Sequence, residues 1–154
     1  MIAEARSQAS SFDCVVDASV GIKLFLVEEL SERADALFDH LTDAPPAGFY
    51  VPDLFFIECT NILWKYVRRF GYPAGAAEQD VGDLVRLPLQ VVSTTALAGS
   101  ALALAVEYGS TAYDGAYVAL ARHLSLPLVT ADEALVRRFR AAEADVRYLG
   151  RWPA

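Results

Sequence analysis

The sequence predicts an α/β domain, a three-layer α/β/α fold around a mainly parallel central sheet of about four to five strands. Three observations carry this. Short β-rich runs bounded by turn residues alternate with longer runs of helical period, so that helices separate most of the strands. The chain has 154 residues and 55% hydrophobic content, enough for one sizeable core. No internal repeat, low-complexity tract or interdomain linker divides it, which gives a flexible leader over 1–11 and a single domain over 12–154.

Taken in order, strand signals fall at Cys14 to Asp17, Phe49 to Val51, Leu89 to Ser93, Pro127 to Thr130 and Val146 to Leu149. Between the first two, Ser31 is a predicted N-cap, with Ala34, Leu37, Phe38 and Leu41 on one helical face and the pair Pro45 and Pro46 as a stop. After Asp53, Phe55, Ile62, Leu63, Tyr66, Val67 and Phe70 are predicted to face inward, and Gly71 closes the helix. A third helix begins near Pro73 and runs toward Leu87, weakened by Gly75 and Gly82. Two more follow, Ala96 to Tyr108 closed by Gly109, and about Tyr113 to Leu124. The last spans roughly Glu133 to Ala142.

Composition excludes several classes. The leader "MIAEARSQASS" has no apolar core of the kind an export signal needs, and "ALAGSALALAVEY" is too short and too rich in Ala and Gly to span a bilayer. A cytoplasmic protein is expected. Cys14, Cys59, His40 and His123 lack zinc-ligand spacing, so the two cysteines read as small buried hydrophobes. A formal charge of −7 argues against a broad basic surface for nonspecific nucleic-acid binding. Arginines cluster at Arg68 and Arg69, at Arg137, Arg138 and Arg140, and at Arg147 and Arg151, where solvated faces and ion pairs are the expected role. Tyr50, Trp64 and Tyr113 are expected as core or dimer contacts rather than base-stacking platforms.

The chemistry points to acids. In open parallel sheets ligands gather beyond the carboxyl ends of the strands. "CVVD" ends there in Asp17, and "LPLVTAD" places Asp132 two residues past Thr130. Glu58 in "LFFIECTNILW" and Asp114 in "TAYDGAYVALA" lie inside otherwise apolar helical sequence. A lone carboxylate on the inward stripe of Tyr117, Val118 and Ala121 would cost several kcal/mol unless paired or metal-bound. Clustered carboxylates raise one another's pKa, and a hard divalent cation keeps them ionised. Mg²⁺ or Mn²⁺ suits oxygen ligands, with Ser19 and Thr130 as hydroxyl support, and such a site favours phosphodiester hydrolysis. No GxGxxG, GxxxxGK[ST] or GxSxG is present, and an aspartyl-phosphate phosphatase would carry a second Asp where Ser19 stands.

The order "VVDAS", "FIECTNILW", "TAYDGAYVALA", "LPLVTADEAL" resembles that of PIN-domain ribonucleases, most closely the toxin component of VapBC-type toxin–antitoxin pairs. The resemblance runs from about Phe12 to Leu149. It implies a Mg²⁺- or Mn²⁺-dependent endoribonuclease whose catalytic, metal-binding acids correspond to Asp17, Glu58, Asp114 and Asp132, supported by Ser19 and Thr130. It further implies a homodimer, a small antitoxin partner, and structured RNA such as tRNA or rRNA as substrate. The leader and the acidic balance depart from the commonest pattern. Two alternatives stay open: a PIN-fold module that binds protein or RNA without turnover, and a metal-dependent nuclease or phosphatase acting on DNA or a phosphomonoester.

Overall fold

The computed structural model describes residues 10–153; the expected leader lies, for residues 1–9, outside the described residues. Strands β1 (Cys14–Val16), β2 (Phe49–Pro52), β3 (Gln90–Val92), β4 (Leu128–Thr130) and β5 (Val146–Tyr148) form one sheet in the order β3-β2-β1-β4-β5. Every neighbouring pair is parallel. Helices α1 (Ala18–Gly21), α2 (Ser31–Asp39), α3 (Leu54–Phe70), α4 (Ala74–Leu84), α5 (Thr94–Tyr108), α6 (Ala112–Leu124) and α7 (Glu133–Arg138) surround it, as the three-layer expectation requires.

The strand order decides where a site can form. From β1 the chain steps outward through β2 and β3, then returns to the other flank of β1 as β4 and β5. The direction of winding therefore reverses between β1 and β4, and the loops leaving these two strands part to opposite faces and open a crevice. Val16 pairs with Val129, so Asp17 and Thr130 come next along the two strands at the mouth of that crevice.

The helices form for the reasons the sequence offers, with local exceptions. On α3, Phe55, Cys59 and Leu63 recur at a helical spacing and are buried. Gly71 ends the helix at φ 68° and Gly109 ends α5 at φ 65°, the left-handed conformation in which a side chain is strained. Cys14 and Cys59 are free and buried, as expected, and Cys59 Sγ lies 3.8 Å from the Ala18 carbonyl oxygen, binding α3 to α1.

Phe70 departs from its predicted inward position: it is 72% exposed. Arg68, Arg69 and Gly71 are exposed with it, so the last turn of α3 outruns the core although its spacing continues the apolar stripe. Ser31 is not an N-cap. Leu30, at φ 68°, holds that position, while Ser31 Oγ accepts from the Glu28 amide and donates to the Leu26 carbonyl, tying down the preceding loop. The α2 helix stops at Asp39, before the prolines, and Leu41 falls in a 3₁₀ turn. Helix α7 ends at Arg138, short of the predicted Ala142, and α1 is too short to leave a periodic signal. Trp64 and Tyr113 are 53% and 65% exposed and so are not core residues; Arg68 stacks over the Trp64 ring at 5.5 Å. No described helix is long and apolar enough to cross a membrane.

Candidate active site

Asp17 follows β1 directly and is buried. Its Oδ2 accepts hydrogen bonds from Ser19 Oγ at 2.6 Å and from Thr130 Oγ1 at 2.8 Å. Those two hydroxyls are themselves anchored, since the Ala131 amide donates to Ser19 Oγ and the Asp132 amide to Thr130 Oγ1. Ser19 and Thr130 thus both hold the carboxylate of Asp17. Burial pushes the Asp17 carboxyl upward; the two hydroxyls oppose that shift and the charge of Asp114 adds to it.

Glu58 reaches the same region because α3 packs on α1. Gly21 makes room for this contact, since a Cβ there would lie 2.5 Å from the Phe55 ring. The Glu58 carboxyl is pushed up to about 7, first by burial, then by the charges of Asp17 and Asp114, against a lowering influence from the Tyr117 hydroxyl. Among the described residues, Glu58 Oε1 and the Tyr117 hydroxyl are buried and have no hydrogen-bond partner. A buried acceptor left without a donor costs about 1–3 kcal/mol.

Asp114 lies in the first turn of α6, which Thr111 caps by accepting from the Asp114 amide at 3.1 Å. Its side chain accepts from Ser110 Oγ at 3.1 Å. Burial raises this carboxyl, Ser110 opposes the shift, Asp132 raises it further and Arg138 pulls it back. Asp132 caps α7, its Oδ1 accepting from the Ala134 amide at 2.9 Å, and is the exposed member of the set. All four acids therefore belong to one electrostatic neighbourhood at the β1/β4 crevice: Asp17, Glu58 and Asp114 act on one another, and Asp132 acts on Asp114.

The donor set is all oxygen, mutually repelling, and includes an unpartnered buried carboxylate oxygen, which suits a hard divalent cation. Among the described residues, no three His, Cys, Asp or Glu side chains converge closely enough to enclose a metal as they stand. Ser110, Tyr117 and Arg138 are the contributors that sequence reasoning missed. Ser110 sits in a helix-linking turn four residues before Asp114, a spacing that could have pointed to it. Tyr117 reads as plain core, and Arg138 comes from an element remote in sequence.

These features place the chain among PIN domains. A PIN-domain family model matches residues 14–140, and the chain belongs to that family. Within it, the chain is 35% identical over 129 residues to ribonuclease VapC3 of Pyrobaculum aerophilum, covering 82% of this chain and 95% of that protein. The crystal structure of PAE2754 from the same organism is similar with a TM-score of 0.67 at 25% identity, over 90% of this chain and 91% of the other. A toxin–antitoxin complex from Klebsiella pneumoniae shares the fold, with a TM-score of 0.61 at 18% identity, over 89% of this chain and 98% of the matched chain.

The raised Glu58 carboxyl has a consequence for stability. Its ordinary value is 4.5 and its folded value about 7, so between the two the folded chain holds a proton that the unfolded chain has released. Stability from this group is full below about pH 4.5 and is lost as pH rises through about 7. Because Glu58 is only half-buried, solvent screening reduces the loss to on the order of 1 kcal/mol. We expect metal-free Glu58→Gln to gain stability over wild type between pH 4.5 and 8 by calorimetry, and a constant difference would contradict this origin.

Proposed function

We propose that the chain is a Mg²⁺- or Mn²⁺-dependent endoribonuclease, the toxin of a type II toxin–antitoxin pair, hydrolysing phosphodiester bonds in RNA. The observation that carries this reading is the buried, unpartnered Glu58 Oε1 within the mutual field of Asp17 and Asp114. Identity of 35% with ribonuclease VapC3 supports RNA as substrate, and the motif resemblance supports a small antitoxin partner and tRNA or rRNA targets. Large apolar side chains exposed on α3 and α5, among them Ile57, Trp64, Leu102 and Val106, support a homodimer.

Asp17, Glu58, Asp114 and Asp132 would hold the cation. Bound there, it supplies Lewis acidity at the phosphoryl oxygens and makes a water nucleophilic near neutral pH. Ser19 and Thr130 both donate to Asp17 Oδ2, fixing that carboxylate. Ser110 orients Asp114 in the same manner through Oδ2. These three hydroxyls and two carboxylates are thereby set before substrate arrives, which keeps reorganisation small when charge develops on the phosphate.

The test is cleavage of RNA by protein purified free of antitoxin, with Mg²⁺ or Mn²⁺ and with EDTA; activity that survives chelation rules the proposal out. Asp114→Asn tests the cluster without turnover. It relieves repulsion and keeps an acceptor for Ser110, so the apoprotein melts a few degrees higher while the Mg²⁺-induced rise in Tm disappears. A lower Tm in the metal-free variant would show Asp114 to be satisfied structurally. The second reading, a PIN-fold module without turnover, is favoured by the lack of tight convergence among the described acids. Calorimetry showing no divalent-ion binding would select it.

A further inference from the structure

Helices α3, α5 and α6 enclose a groove of about 480 Å³ that the chemistry described above leaves unused. Leu54 of α3, Thr94 and Thr95 of α5, Tyr113 of α6 and two alanines from each of α5 and α6 line it. Its place relative to the acids follows from the register of two helices. Leu54 stands one turn before Glu58 on the same face of α3, and Tyr113 immediately precedes Asp114 in the first turn of α6. The groove therefore continues the acid crevice, offset by about one helical turn, or roughly 5.4 Å. Its walls are fixed. The Thr94 amide donates to Asp53 Oδ1 at 3.1 Å, fastening the start of α5 to the start of α3. Ala101 and Ala116, each 3% exposed, lie at its base, where Gly115 lets α6 approach the Ala101 backbone.

The lining selects the kind of occupant. In a chain of net charge −7, no charged side chain among the described residues lines this groove. The helix starts offer no anion site either. The Thr95 amide donates to Ser93 Oγ at 3.3 Å and the Asp114 amide to Thr111 Oγ1 at 3.1 Å, so these leading amides of α5 and α6 are spent on their own caps. What remains is a row of small apolar side chains, two hydroxyls able to donate or accept, and one aromatic ring. That ring, Tyr113, is 65% exposed and stacks on no described aromatic side chain. A flat, uncharged ligand with polar edges fits such a lining; a phosphate does not.

We propose that this groove is a nucleobase subsite, taking the base beside the cleaved phosphodiester, with Tyr113 as its stacking surface and Thr94 or Thr95 at the base edge. This rests on the nuclease reading above. RNA carries its charge on phosphates and presents flat, uncharged bases a short reach away. A strand whose phosphate lies among the acids therefore brings a base to the uncharged groove beside them. Every base has a face that stacks on an aromatic ring, and threonine hydroxyls satisfy donors and acceptors alike, so the subsite holds the strand more than it reads sequence. Tyr113 binds and positions; it takes no part in bond making or breaking.

The experiment couples one side chain to one base. Steady-state cleavage of a short single-stranded RNA with a mapped cut is measured with Mg²⁺ or Mn²⁺ for the full wild-type chain, Tyr113→Ala, Tyr113→Phe and Ala98→Leu. Each is tested on the intact RNA and on versions carrying a single abasic nucleotide at successive positions. On intact RNA, Tyr113→Ala should raise KM about tenfold or more with kcat within a few-fold, the effect of losing one stacked base. Tyr113→Phe keeps the ring and should stay close to wild type. Ala98→Leu grows from an exposed position that lines the groove, so it should raise KM similarly without lowering Tm. The KM increase in Tyr113→Ala should vanish when a nucleotide flanking the cut is abasic and persist when a distant one is. Wild-type KM in either groove variant, or an increase of equal size on every abasic RNA, would overturn the inference and leave the nuclease reading standing. So would a change of oligomeric state in Tyr113→Ala by light scattering, because the groove would then be an interface between copies. Absence of RNA cleavage by the wild-type chain would overturn the nuclease reading and this inference with it.

Discussion

Asp17→Asn is expected to lower kcat/KM for RNA cleavage by roughly a thousandfold or more, because charge stabilisation at a transferring phosphoryl group is worth several kcal/mol and each ~1.4 kcal/mol is tenfold. The variant is clean for geometric reasons. Asparagine keeps a carbonyl oxygen that can accept from Ser19 and Thr130, so the network at the end of β1 survives while the negative charge is removed. Burial already disfavours the ionised carboxyl at this position, so neutralising it should raise the Tm of the metal-free protein by a few degrees. Activity and stability then move in opposite directions, which unfolding cannot produce. Near-wild-type cleavage in Asp17→Asn would remove Asp17 from the machinery, and a lower Tm with lost activity would show that the charge had been compensated within the fold.

How much of this was legible beforehand differs by residue. Asp17 and Asp132 were legible as acids near the carboxyl ends of two strands, an arrangement too common to be specific by itself, and the strand order sets β1 beside β4. Glu58 and Asp114 were legible as anomalies, acids on stripes that should be apolar. Their mutual influence was not, since it depends on α3 resting on α1 and on α6 lying against the sheet. Ser31 misled for a local reason: a serine beside a helix start is equally able to cap the helix or tie the loop before it, and here the left-handed Leu30 decides for the loop. Phe70 misled because periodicity tells which side of a helix faces inward, not where the core ends.

Gly115→Ala is expected to be the most damaging single-methyl substitution near the site. A Cβ at Gly115 would lie 2.4 Å from the Ala101 carbonyl oxygen, and it would meet backbone rather than a movable side-chain tip. Helices α5 and α6 must separate to accept it, at a cost of about 2–3 kcal/mol, or roughly 4–10 °C in Tm. Asp114 is the preceding residue, and its partner Ser110 lies in the turn joining the two helices, so the displacement reaches the carboxylate directly. A shift near 1 Å at a reacting centre can cost about a hundredfold in rate, and cleavage should fall by that order even below the new Tm. Gly99→Ala on α5 is the matched control: no atom lies within 4 Å of the added Cβ. Replacing a helical glycine there should stabilise the chain by about 0.5–1 kcal/mol and leave cleavage unchanged. Equal behaviour of the two variants would mean that the α5–α6 contact does not set the position of Asp114. Opposite behaviour would tie the small residue in "TAYDGAYVALA" to the acid beside it: glycine lets α6 seat deeply enough to bring a surface-seeking carboxylate into the crevice.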